Sequence, residues 1–146
     1  MKLIFRVFAV FGIILSFFSC PALHGPALAD EVEDGVAYYR QGEYRTAFGV
    51  LKRFAERGDP DAQFLLAGMY LHGKGIHKNE KLAGKWMQTA AEAGHRGAQR
   101  AMARFYREGI GGVEKDLIMA DLWDEKAAQA PRSRCEGTPV GCRFDN

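Results

Sequence analysis

Histidines at 72, 77 and 95, cysteines at 135 and 142, a lysine between Gly73 and Gly75, and arginines at 100, 104 and 107 could each bind or transform something. The histidines are not paired at i, i+4, the helical spacing that brings two imidazoles to one metal ion. They read as solvated or turn residues, and no metal site is expected. Gly73-Lys74-Gly75 lacks the Gly-x4-Gly-Lys-(Ser/Thr) run whose backbone N–H groups cradle a phosphate. No Gly-x-Ser-x-Gly elbow is present to raise a nucleophilic serine. Cys-x6-Cys matches neither zinc-knuckle spacing nor the Cys-x-x-Cys redox pair. Gly137, Pro139 and Gly141 let the segment between the two cysteines turn tightly. A disulfide between Cys135 and Cys142 is therefore expected, with a chain-entropy contribution of about 2–3 kcal/mol. No catalytic residue and no cofactor are expected, and the reading is of a protein that is not an enzyme.

The arginines leave a surface. On a helix Arg100, Arg104 and Arg107 share one face, opposite Ala98, Ala101 and Phe105. Guanidinium groups pair with carboxylates through forked hydrogen bonds. The positions 36 residues earlier are Phe64, Gly68 and Leu71. If the two helices lie side by side, an apolar strip from Phe64 and Leu71 would run beside the arginine strip. That surface would suit a protein partner with acidic residues and one or two apolar anchors. Two plainer readings stay open. In one the arginines simply face water, and in the other Phe64 and Leu71 are buried between helices.

The charge balance excludes one class of partner. Lys2 and Arg6 precede every acidic residue, and without them 18 basic side chains meet 18 acidic ones. No basic excess remains to attract nucleic acid. Lys2 and Arg6 also begin a different pattern: a cationic start, an almost wholly apolar run over 7–18, and Ala27-Leu28-Ala29 ahead of Asp30. This is the form of a secretory signal peptide with small residues before the cut. The apolar run is short of the ~20 residues that span a bilayer. Cleavage between Ala29 and Asp30 is expected, giving a periplasmic or secreted protein without stable membrane insertion. Lipid attachment at Cys20 is the alternative, although Phe17 and Phe18 are bulky for such a site.

The elements that must position the arginines are read from a repeat. Ala62/Ala98, Gln63/Gln99, Leu66/Met102, Tyr70/Tyr106, Gly73/Gly109 and Gly75/Gly111 match at a spacing of 36. Beyond one inserted residue, Ala83/Ala120, Trp86/Trp123, Ala90/Ala127 and Ala91/Ala128 match at 37. A period in this range means stacked supersecondary units, and an insertion confined to a turn fits a helix–turn–helix. Ala62, Leu66 and Tyr70 recur at i, i+4, i+8, as do Ala98, Met102 and Tyr106. Gly73 and Gly75 can take the positive φ that ends a helix, and Asn79 and Asp116 suit the N-caps of the second helices. Trp86 and Trp123 are expected to be largely buried between helices.

Ala-Gln-x-x-Leu-x-x-x-Tyr-x-x-Gly-x-Gly-(Ile/Val), followed by Ala-x-x-Trp-x-x-x-Ala-Ala, resembles the Sel1-like repeat, a relative of the tetratricopeptide repeat. The first copy has Asn79 where aspartate is usual, and the second carries the extra Gly112. Gly42-x-Tyr44-x-x-Ala47 resembles the tetratricopeptide turn, which adds a divergent leading pair. The resemblance implies an all-α chain, a short right-handed solenoid of three helix pairs. The expected layout is a signal peptide over 1–29, a divergent pair over 30–58, repeats over 59–97 and 98–131, and a tail over 132–146. It also implies a scaffold or adaptor holding a partner segment in a concave groove. A cell-envelope enzyme or enzyme accessory, and a structural subunit stacked end to end, are the alternatives.

Overall fold

A computed structural model describes residues 27–131 of the chain. Within them the chain forms six α-helices and no strand: α1 Ala27–Arg40, α2 Tyr44–Glu56, α3 Pro60–His72, α4 Glu80–Glu92, α5 Arg96–Glu108 and α6 Leu117–Gln129. Local chemistry fixes most of their ends. Asp59 accepts a hydrogen bond from the Ala62 N–H at 2.8 Å, with Pro60 in the first turn, where its missing donor costs nothing. Asn79 accepts from the Leu82 N–H at 3.0 Å, and Asp116 from those of Ile118 and Met119 at 2.9 and 3.0 Å. Gly73 and Gly109 close α3 and α5 in the left-handed region, at φ 69° and 71°, where a side chain would be strained.

The helices stack as an α-solenoid, each packing chiefly on its neighbours in the chain. α3 is the shared wall. Ala62, Leu65, Leu66 and Met69 face a core made with α1 and α2, where Val32, Ala47, Leu51, Phe54 and Ala55 are buried. Phe64, Ala67 and Leu71 face a second core made with α4, α5 and α6. Both sides of α3 are apolar because both are removed from water. The repeated glutamines tie the stack together. Gln63 Nε2 donates to the Ala55 carbonyl at 3.0 Å, and Gln99 Nε2 donates to the Ala91 carbonyl at 3.1 Å. Each bond joins the first helix of a repeat to the C-terminal end of the helix before it, giving a second donor to a carbonyl that already accepts from the Gly58 or Gly94 N–H.

Glycine sets how closely the units approach. A Cβ on Gly84 of α4 would lie 1.9 Å from the Gly111 carbonyl oxygen, so α4 and the α5–α6 loop meet backbone to backbone. One repeat earlier, a Cβ on Gly75 would lie 2.7 Å from backbone and side-chain atoms of Tyr44. Each glycine loop therefore seats on the second helix of the preceding pair.

Several sequence expectations change in detail. α1 begins at Ala27, three residues ahead of the start at 30 expected for the divergent pair, so Ala29 and Asp30 lie in its first turn. α5 begins at Arg96, two residues ahead of Ala98, where the second repeat was expected to begin. Trp123 is buried at 5% exposure, but Trp86 is only partly buried and touches both cores from the side. The large side chain of that helix that is fully buried is Met87, at 0%. The Cys135–Cys142 disulfide, the Cys20 alternative and the apolar segment 7–18 lie outside the described residues.

Candidate interaction surface

Arg100, Arg104 and Arg107 are all exposed on α5. The apolar strip expected beside them is not at the surface: Phe64 is 2% exposed and Leu71 8%. This is a correction with a simple cause. Phe64 and Leu71 lie on the side of α3 that turns toward the next repeat. Arg100 and Arg107 hold the same places on α5, where no further described helix stacks on them.

The change from apolar to charged extends to the second helix of the repeat. Leu71 and Met87 are buried in repeat one, and their counterparts Arg107 and Asp124 form an ion pair. Gly84, pressed against the Gly111 loop, corresponds to Asp121, whose carboxylate lies 3.9 Å from Arg107. The second repeat thus presents charge where the first presents its contact with a neighbour. A polar outer face of this kind keeps the end of a solenoid soluble. Arg107 is consequently held to α6 and does not belong to a continuous arginine strip.

The charge of Arg104 acts instead on His72 at the end of α3. Lys74 and Lys78 act on the same imidazole. Its pKa is lowered from the ordinary 6.5, first by partial desolvation and then by the charges of Lys74, Arg104 and Lys78. Two of the three cations are partly engaged. Lys74 Nζ donates to the Tyr39 hydroxyl at 3.3 Å and sits 5.3 and 5.5 Å from the Tyr39 and Tyr44 ring centres. Lys78 Nζ lies 2.7 Å from a Glu80 carboxylate oxygen. Arg104 has no ion pair among the described residues. The result is a basic cluster formed by two helix ends and a loop, a grouping that sequence spacing alone does not reveal.

The pH dependence of this cluster follows in sign. Folding disfavours protonated His72, so the unfolded chain takes up more protons near and below pH 6.5. The His72 share of stability is intact above that pH and declines as pH falls through it. NMR titration of the ring should give a midpoint below 6.5 that rises in Arg104→Gln. A midpoint that does not move on removal of Arg104 would separate this arginine from the cluster.

The expectation for His95, a solvated or turn histidine, does not hold. The residue is 3% exposed and its ring stacks on Phe64 with centroids 4.4 Å apart. Nδ1 accepts from the Ala98 N–H at 2.9 Å, so His95 is the N-cap of α5. The neutral ring then carries its proton on Nε2, which lies 3.0 Å from Asp61 Oδ1 in a close contact that falls short of a well-aligned hydrogen bond. Its place in the period gives the sequence signal for this role: His95 stands 36 residues after Asp59, the cap of α3. Among the described residues no group of three or more His, Cys, Asp or Glu side chains could hold a metal.

Six helices, repeated glutamine ties and glycine-seated loops define an all-α repeat solenoid. A model of the Sel1 repeat matches residues 60–95 and 97–130. The chain belongs to the Sel1-like repeat family. It is similar to a Sel1 repeat protein from Oxalobacter formigenes, at 32% identity and a TM-score of 0.63, over 67% of this chain and 40% of that one. It is also similar to a protective antigen present in uropathogenic Escherichia coli strains that displays an SLR fold, at 34% identity and a TM-score of 0.64. That likeness covers 78% of this chain and 24% of the antigen. The chain therefore spans less than half the length of either. No curated protein matches it. The fold is generally a protein–protein interaction module, and Sel1 repeat proteins are typically non-enzymatic.

Proposed function

We propose that this chain is an exported adaptor that binds an acidic segment of a protein partner through the basic cluster of His72, Lys74, Lys78 and Arg104. The observation that carries this reading is that the positive charges of Lys74, Lys78 and Arg104, from a loop and a helix remote in sequence, all act on exposed His72 and lower its pKa. Like charges held together destabilise one another, and an incoming carboxylate relieves that repulsion. Arg104 supplies a forked donor, and half-exposed Tyr39 and Tyr44 supply flat apolar area beside Lys74. Export is supported by the pattern that ends at Ala29 and Asp30, and N-terminal sequencing of the mature protein should then begin at Asp30. A retained Met1 or a lipidated Cys20 would revise that part. The His95–Asp61 pair does not support an enzyme reading, because the His95 side chain is wholly buried and already caps α5.

The binding test reverses charge without touching the core. A partner recovered from envelope extracts by the wild-type chain should be lost with Lys78→Glu and Arg104→Glu together. Its recovery should also weaken as salt rises, because exposed charges are screened over about 8 Å at physiological ionic strength. Circular dichroism and melting should be little changed, since exposed substitutions usually shift stability by about 0.5 kcal/mol or less. Undiminished, salt-insensitive recovery would refute the assignment.

A further inference from the structure

The outward face of α6 differs from that of α4 in a way the repeat fold does not require. Glu80, Lys81 and Lys85 are exposed on α4. The corresponding residues on α6 are Leu117, Ile118 and Leu122, exposed by 58%, 82% and 43%. They are the exposed large hydrophobic side chains among the described residues. Since α4 folds and packs with charge at these places, the apolar residues of α6 are not there to hold the stack together. Single exposed leucines are ordinary on a protein surface, but an adjacent apolar group confined to one helix points to contact with something.

The rim of the patch says what kind of contact. Ile118, Asp121, Leu122 and Glu125 follow one another at i, i+3, i+4 and i+7, so two carboxylates share the stripe with two aliphatic side chains. Asp121 is 85% exposed at its side chain and approaches Arg107 only to 3.9 Å. Glu125 meets the Gln129 amide at 3.4 Å. The cation nearest in sequence, Lys126, is drawn over the Trp123 ring at 4.4 Å and forms no ion pair with either carboxylate among the described residues, so Asp121 has only the 3.9 Å contact with Arg107. We propose that this face of α6 is a second docking surface, for a basic amphipathic helix of a partner protein. Apolar side chains of that helix would cover Leu117, Ile118 and Leu122, and its flanking lysines or arginines would meet Asp121 and Glu125. The surface is independent of the basic cluster around His72 and of opposite charge, so one chain can hold two unlike partners.

The test uses the full chain and two synthetic peptides. One has leucines at i, i+3, i+4 and i+7 with lysines elsewhere, and its twin has glutamates in place of the lysines. Fluorescence anisotropy should show binding of the lysine peptide, at least tenfold weaker to Ile118→Lys with Leu122→Lys. That variant carries the residues α4 has at the same places, so folding should be unaffected. Asp121→Lys with Glu125→Lys reads the charge separately and should lose at least tenfold even if the first variant fails to fold. Charge reversal at Lys78 and Arg104 should leave this affinity unchanged, which separates the two surfaces. Equal affinity for the variants, or equal binding of the glutamate twin, would overturn the proposal. Binding that emerges only when residues 132–146 are removed would assign the face to the chain's own tail. Association of the wild-type chain that Ile118→Lys abolishes would assign it to a second copy. Either of these two results also overturns the proposal.

Discussion

Gly84→Ala should be strongly destabilising, because among the described glycines an added methyl comes closest to other atoms there. The new Cβ would lie 1.9 Å from the Gly111 carbonyl oxygen and 2.8 Å from its carbon. Those atoms are backbone, so no rotamer change relieves the overlap. Gly111 itself has little room to retreat, being held at φ 72° with Phe105 behind it. The α5–α6 loop must lift from α4 and loosen the core between the two repeats. A cost of about 3 kcal/mol or more is expected, at the upper end for overpacking. For a domain of this size that is a fall in Tm of roughly 10 °C or more. Thermal melting followed by far-ultraviolet circular dichroism reads it directly. Gly49→Ala is the matched control, because a Cβ added there would meet nothing within 4 Å and alanine is the better helix former. Equal melting of the two variants would mean that α4 and the loop do not meet as described.

His95→Ala should be comparably severe for a different reason. It removes the cap of α5, the ring stacked on Phe64 and a close contact of the nearly buried Asp61 carboxylate. The lost cap, which leaves the Ala98 N–H without its acceptor, costs about 1–2 kcal/mol. With the vacated ring volume the total should reach roughly 3–5 kcal/mol. His95→Asn keeps an acceptor for the Ala98 N–H and should recover about 1 kcal/mol of that loss. Chemical denaturation at neutral pH gives both differences. If His95→Ala unfolds at the wild-type midpoint, the histidine does not join the two repeats.

Local order was legible in the residues because it depends on the residues near it. The 36-residue period, the caps at Asn79 and Asp116, and the positive-φ glycines at 73 and 75 each follow from short-range hydrogen bonding or steric freedom. The helix-pair architecture follows from the period, since a unit that cannot bury its own apolar face must stack. The Ala-Gln pair was visible as a motif. Its reason was not, because the Ala55 and Ala91 carbonyls that accept from the glutamines are fixed only when the helices meet.

What only the tertiary structure decided is which face of each helix meets which neighbour. Periodicity places Phe64 and Leu71 opposite the main apolar stripe of α3, but it does not say that α4 and α5 cover that side. The same spacing therefore buries Phe64 and exposes Arg100. It also turns Arg107 to Asp124 on α6 and brings Arg104 to His72 on α3, two partners remote in sequence. Gly84 looks like an ordinary helical glycine until the Gly111 carbonyl is placed against it. A one-dimensional pattern records distances along the chain, whereas burial, ion pairing and close approach depend on distances across it. The fold was therefore readable from the sequence, and the surface proposed for binding was not.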